Sequence, residues 1–169
     1  MSARTPDVVD LILDQWARQL PDLDASPLAV LGRLHRNYLR YQAQLGELFE
    51  EYGINMAAFD VLAALRRSGP PFQQTIGDLA GVTMVTSGGI TQRVDRLEAM
   101  GLVERVRDAT DRRVVYVTLT DKGIETVDRA AYAHFSNEKR MLSGLTETEQ
   151  RQLARLLKQL ERSLESTGR

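Results

Sequence analysis

The chain has 169 residues, enough for one domain or one domain with extra helices, and its 43% hydrophobic and 27% charged content suits a globular protein with a real core. It contains no cysteine, which excludes disulfides, thiolate nucleophiles, cysteine metal sites and cysteine-based redox sensing. Its formal net charge of −1 supplies no global basic field, so a nucleic-acid partner would have to meet local positive charge.

The N-terminal stretch "MSARTPDVVDLILDQW" carries acids where a signal peptide needs a clean apolar run, so cytoplasmic residence is expected. No run of about 18 apolar residues exists to span a membrane. Val8, Leu11, Ile12 and Trp16 fall at i, i+3, i+4 and i+8, predicting a first helix that ends near Leu20-Pro21. "DASPLAVLGRLHRNYLRYQAQLGELFEEYG" predicts a long second helix with Ser26 as cap, Pro27 in its first turn and Gly53 at its end. "NMAAFDVLAALRRSG" repeats the pattern from Asn55 to Gly69, and "PPFQQ" reads as a connector.

From "TIGDLAGVTMVTSGGITQRVDRLEAMGL" the spacing predicts a short helix, a turn and a longer helix, capped by Thr75 and by Thr86 or Ser87. Ile90, Val94, Leu97 and Leu102 form the inward face of the second of these. "LVERVRD" and "RRVVYVTLT" are rich in β-branched residues and flank the turn-prone "DATD", which predicts a two-stranded hairpin. Two more helices follow, from near Asp121 and from Thr146. Thr146 and Glu149 have capping-box spacing, and Leu153, Leu156, Leu157, Leu160 and Leu164 form a stripe. The fold class is therefore mostly α with a small β-hairpin wing (α+β): helix, turn, helix, hairpin, between helical arms.

Helix-turn-helix units place the start of their second helix in the DNA major groove. That gives a role to an oddity, since two glycines stand where this helix should begin and glycine costs a helix about 0.5–1 kcal/mol relative to alanine. Gly88 and Gly89 would let the helix approach DNA closely and offer free amides to phosphate; tight packing on the preceding helix is the other reading. Thr86, Ser87, Gly88, Thr91, Gln92 and Arg96 are the candidate readers of base edges or phosphates on this segment. Arg107, Arg112 and Arg113 are their counterparts around the wing loop "RDATDRR", where Asp111 is placed to hold one arginine. Six arginines face five acids between Thr86 and Thr120, so placement carries this argument more than excess charge.

Three other residues stand out. Arg93 lies three after Ile90 and four before Leu97, flanking the inward stripe, so its guanidinium should be partly buried and want an acid or an anion. Asp60 is the one acid inside "MAAFDVLAAL", where a carboxylate is paired, functional or simply on the helix surface. Trp16 is the sole tryptophan and reads as interface packing.

"SGGITQRVDRLEAMGLVER" followed by "DATDRRVVYVTLTDKG" resembles the winged helix-turn-helix of the MarR (multiple antibiotic resistance regulator) family. The wing signature D-x-R-x-x-x-V-x-L-T-x-x-G is met in full by Asp111, Arg113, Val117, Leu119, Thr120 and Gly123, and the resemblance runs from about Asp7 to Leu164. It implies a homodimer joined through N- and C-terminal helices, two winged lobes reading a pseudo-palindromic operator in double-stranded DNA, and release of repression by a small molecule. On that pattern residues 1–54 are dimerisation helices and a wall of the ligand crevice, 55–123 the DNA-binding lobe, and 124–169 further dimerisation helices. "ILDQWARQLPDLDASPLAVLGRLHR" also resembles the extra N-terminal helix of the family's urate-responsive branch. That branch's ligand-site residues would fall on Trp16, Asp60, Arg93 and Arg105, implying a urate-like purine or other aromatic anion stacked on indole and paired with guanidinium groups.

Phenolic or carboxylate effectors are the alternative within the family, and a winged-helix protein-interaction module that does not bind DNA is the alternative outside it. An enzyme reading has little support, because His35 and His134 are far apart and no nucleophile motif is present. No cofactor is implied, and no histidine/carboxylate ligand cluster points to a metal.

Overall fold

A computed structural model describes residues 5–83, 89–111 and 113–167. The chain divides into two compact units, Met1–Met56 and Ala57–Arg169.

Among the described residues the first unit contains helices α1 (Val8–Gln19) and α2 (Leu28–Glu50). Asp7 caps α1: its carboxylate accepts from the Val9 and Asp10 N–H groups, while Asp10 accepts from the Asp7 N–H, a reciprocal capping box. Arg33 of α2 reaches across to both carboxylates, at 2.9 Å from Asp7 and 2.6 Å from Asp10. The expected Ser26 cap does not form, because α2 starts one residue later, after Pro27, with no side-chain cap. Proline already fixes a helical φ and has no N–H to satisfy, so the first turn needs less capping.

The second unit contains α3 (Met56–Arg67, whose first residue closes the preceding unit), β1 (Gln73–Thr75), α4 (Ile76–Val82), α5 (Ile90–Ala99), β2 (Val103–Arg107), β3 (Val115–Leu119), α6 (Asp121–Met141) and α7 (Glu147–Thr167). The expected hairpin forms from β2 and β3, and a third strand joins it, giving an antiparallel sheet in the order β1-β3-β2. The "connector" supplies the third strand, Gln73 pairing with Thr118, Gln74 with Val117 and Thr75 with Tyr116. Three polar residues show no alternation to announce a strand; pairing with β3 decides it.

One face of this sheet is buried through Val103, Val117 and Leu119, and the core continues through Val61, Leu62 and Leu65 of α3, Leu79 of α4, Ile90, Val94 and Leu97 of α5, and Val127 and Ala130 of α6. The wing signature now has physical reasons. Val117 and Leu119 are core residues. Thr120 caps α6, its hydroxyl accepting from the Gly123 N–H at 3.0 Å and donating to the Gly101 carbonyl at 2.8 Å. Gly123 is required sterically, since a Cβ there would lie 2.0 Å from the Leu102 carbonyl oxygen. The Thr146–Glu149 capping box opens α7 as expected. None of the residues of α7 is buried, and Leu153, Leu156, Leu157 and Leu164 stay exposed along it.

Candidate nucleic-acid interface and effector site

The recognition helix α5 begins at Ile90, directly after Gly89. Gly89 is its N-cap, at φ +105°, and a Cβ there would meet nothing within 4 Å. Gly89 therefore carries no helix-interior penalty and fills no packing gap among the described residues; glycine suits the position because L side chains avoid that φ. Thr86, Ser87, Gly88 and Arg112, named above as candidate DNA contacts, lie outside the described residues.

Ile90, Val94 and Leu97 are buried, which turns Thr91, Gln92, Asp95 and Arg96 outward. The described candidates Thr91, Gln92 and Arg96 thus share the exposed side of α5, as a helix entering a groove requires. The wing loop is a compact turn. The Asp108 carboxylate accepts from the Thr110 hydroxyl (2.5 Å), the Thr110 N–H (2.7 Å) and the Asp111 N–H (2.8 Å). Asp111 in turn holds the Arg113 guanidinium at 3.0 and 2.9 Å and accepts its N–H. The Thr110 hydroxyl and these amides hold the Asp108 carboxyl below its ordinary value, and Arg113 does the same for Asp111. Arg113 itself keeps 90% of its side chain in solvent, so the pair orients a guanidinium without burying it. Arg107 ends β2, exposed and opposite Val115.

The four effector candidates are differently placed. Trp16 lies on α1 of the first unit, 43% exposed. Asp60 lies on α3, only 5% exposed and hence an interior carboxylate, which selects the buried alternative over a surface acid. Arg93 is half-buried on α5, and its Nη1 is fully enclosed without a hydrogen bond among the described residues. An enclosed, unsatisfied guanidinium donor is costly, so an incoming acceptor would be rewarded there. Arg105 is occupied. Its Nη2 lies 2.5 Å from Asp95, its Nη1 pairs with Glu98, and its backbone N–H donates to Glu98 at 3.2 Å. Those partners, Asp95 first, raise the Arg105 pKa. Both acids sit on α5, and their spacing alone looks like an ordinary solvated face; nothing in the sequence ties them to β2.

Two further features escaped the sequence reading. Arg66 of α3 pairs with Asp128 of α6 through two hydrogen bonds (2.8 and 3.2 Å) and lies 4.7 Å over the Phe72 ring, tying the segment before β1 to two helices. Gln74 of β1 has an enclosed Oε1 without a hydrogen bond among the described residues. Among those residues no three histidine, aspartate or glutamate side chains come together as a metal site, and no helix is long and apolar enough to cross a membrane.

The MarR family model matches residues 52–114. The HTH-type transcriptional regulator PecS of Dickeya dadantii (strain 3937) is 36% identical over 162 residues, covering 96% of this chain and 97% of that one. Among solved structures, Bordetella bronchiseptica BpsR, whose DNA binding is regulated by 6-hydroxynicotinic acid, superposes with a TM-score of 0.69 at 27% identity over 78% of this chain and 92% of its own. A cysteine-to-serine mutant of Escherichia coli MarR complexed with operator DNA gives a TM-score of 0.68 at 28% identity, covering 86% and 96%. The mostly helical winged fold, the complete wing signature and full-length similarity to PecS converge: this chain belongs to the MarR family of DNA-binding transcriptional regulators and not to a family of enzymes.

Proposed function

We propose that the protein is a cytoplasmic repressor that binds a pseudo-palindromic operator as a homodimer and is released by a small aromatic anion such as urate or a related purine. The observation that carries the effector reading is Arg93: the helix whose outward side offers Thr91, Gln92 and Arg96 to DNA also holds an enclosed guanidinium donor without an acceptor among the described residues. An anion satisfying Arg93 binds one arrangement of α5 better than another, which is what coupling between effector and operator requires. Asp60 and Trp16 are its proposed companions, as interior carboxylate and stacking surface. Arg105 would join them only by leaving Asp95 and Glu98. Wing contacts are assigned to Arg107, Arg112 and Arg113, and Thr86, Ser87 and Gly88 to the approach of the helix. The leucines left bare along α7, with Leu11, Ile12 and Leu20 exposed in the first unit, suit dimerisation.

A second reading of the ligand, an aromatic hydroxy acid, is favoured by the likeness to BpsR. Anisotropy of a labelled duplex from the DNA flanking the protein's own gene, at fixed salt, with urate and separately with 6-hydroxynicotinate, separates the two. Weakening by urate that Arg93→Ala blunts supports the purine reading; weakening by 6-hydroxynicotinate alone moves the assignment to hydroxy acids. Tight binding that ignores both leaves a regulator whose effector is neither.

A further inference from the structure

Arg105 sits at the centre of β2, and every donor it spends goes to α5. The guanidinium spans Asp95 and Glu98, three residues apart on one side of the helix, while the Arg105 N–H takes the second oxygen of Glu98. Directly paired residues share a sheet face, so Gln74, Val117 and Arg105 form a row across β1, β3 and β2. Val117 is fully buried, so this is the inner face of the sheet, and Arg105 leaves it to reach the helix. Two residues further along β2 is Arg107, where the wing loop begins.

We infer that Arg105 is a positioning residue for DNA recognition: with Asp95 and Glu98 it fastens the reading helix α5 to the wing, so that both elements meet one duplex at a fixed angle. The inference rests on the DNA-binding reading above. The connection between α5 and β2 is otherwise a tight turn, with the Gly101 N–H bonded to the Glu98 carbonyl and the Leu102 N–H to the Leu97 carbonyl. That turn fixes the C-terminal end of the helix. Asp95 lies further up, towards the outward residues Thr91 and Gln92, so Arg105 braces the helix where a hinge at the turn would otherwise let it swing. Two carboxylates around one guanidinium leave the cluster net negative, so Arg105 is neither a free phosphate contact nor a vacant anion receptor.

This makes a prediction opposite in sign to simple electrostatics. Removing a negative charge from a DNA-reading helix ordinarily strengthens DNA binding. If Asp95 and Glu98 brace the helix, Asp95→Asn and Glu98→Gln instead weaken it. The test is anisotropy of the flanking duplex with full-length wild type, Asp95→Asn, Glu98→Gln, Arg105→Lys, Arg105→Ala and Arg107→Ala, each across a salt series and each checked for unfolding temperature. The expected result is a several-fold loss of affinity in both acid variants, an intermediate loss in Arg105→Lys, which retains charge but cannot span two carboxylates, and a larger loss in Arg105→Ala with an unchanged salt slope. Arg107→Ala should lower the slope by about 0.9, as for one lost phosphate contact. Tighter binding by Asp95→Asn and Glu98→Gln, or a slope for Arg105→Ala reduced like that of Arg107→Ala, overturns the positioning role. Should Arg105→Ala fail to fold, the two acid variants decide alone. If wild type binds no flanking duplex, the DNA-binding reading falls first and this inference with it.

Discussion

Replacing Gly123 by alanine tests how the wing is joined to α6. The new Cβ would stand 2.0 Å from the Leu102 carbonyl oxygen, 3.0 Å from its carbonyl carbon and 3.2 Å from the Leu119 side chain. The carbonyl cannot simply turn away. It accepts the Thr120 N–H at 3.2 Å, and the Leu102 N–H is bonded to Leu97 at 2.9 Å in a fully packed setting. Relief therefore moves two backbone segments, the first turn of α6 and the junction between α5 and β2. Overpacking of this kind costs about 1–3 kcal/mol, and the weakened Thr120 hydrogen bond adds roughly 0.5–1.5 kcal/mol. At about 2–4 °C per kcal/mol for a chain of this length, the unfolding temperature should fall by roughly 3–18 °C. Thermal unfolding followed by far-ultraviolet circular dichroism, at one fixed protein concentration because the proposed dimer would couple assembly to stability, measures it. Gly46→Ala is the internal control: nothing lies within 4 Å of its Cβ position and it sits inside α2, so alanine should add about 0.5–1 kcal/mol. An unfolding temperature for Gly123→Ala within about 2 °C of wild type would refute the steric argument.

Other substitutions probe the remaining elements. Gly89→Ala forces a side chain to φ +105° without any clash, so denaturant unfolding should show a loss of about 1–2 kcal/mol, where a packing role would predict a steric cost instead. Thr120→Ala removes the α6 cap and its tie to Gly101; a loss of about 1 kcal/mol is expected by the same measurement, and no loss would deny the cap its role. In α1 the neighbouring backbone N–H groups first, and Arg33 besides, hold the Asp7 and Asp10 carboxyls below 3.8. Groups with lowered native pKa stabilise the fold above the unfolded value and lose that contribution as pH falls through the native one. Carboxyl resonances followed by NMR should therefore titrate below 3.8 for both residues, and Arg33→Ala should move both midpoints up; midpoints unchanged by Arg33→Ala would deny the ion pair any part.

What could be read from the residues was what repeats or matches a local pattern. The spacing of Ile90, Val94 and Leu97 placed the inward side of the recognition helix correctly, and with it the outward set Thr91, Gln92 and Arg96. The wing signature was legible letter by letter, although only the structure supplies the reason for its final glycine. Arg93 was legible as a half-buried cation because its offset from the apolar stripe fixes its depth. Features created by long-range pairing were not. Gln73, Gln74 and Thr75 become a strand only because Thr118, Val117 and Tyr116 arrive beside them, and Arg105, placed in the ligand site by resemblance, shows its carboxylate partners only once β2 is laid against α5. Gly89 misled for a local reason: composition gives a helix-propensity penalty, whereas its backbone angle shows that the helix has not yet begun.

The central claim is that α5 and the wing read duplex DNA. The most direct measurement is the affinity of the full-length protein for the duplex flanking its own gene, against a scrambled duplex of equal length, across a salt series. Preferential binding to the flanking duplex is expected, with log affinity falling steeply and linearly against log salt. Equal, weak and salt-insensitive binding to both duplexes would contradict it and leave the winged fold as a surface for other proteins.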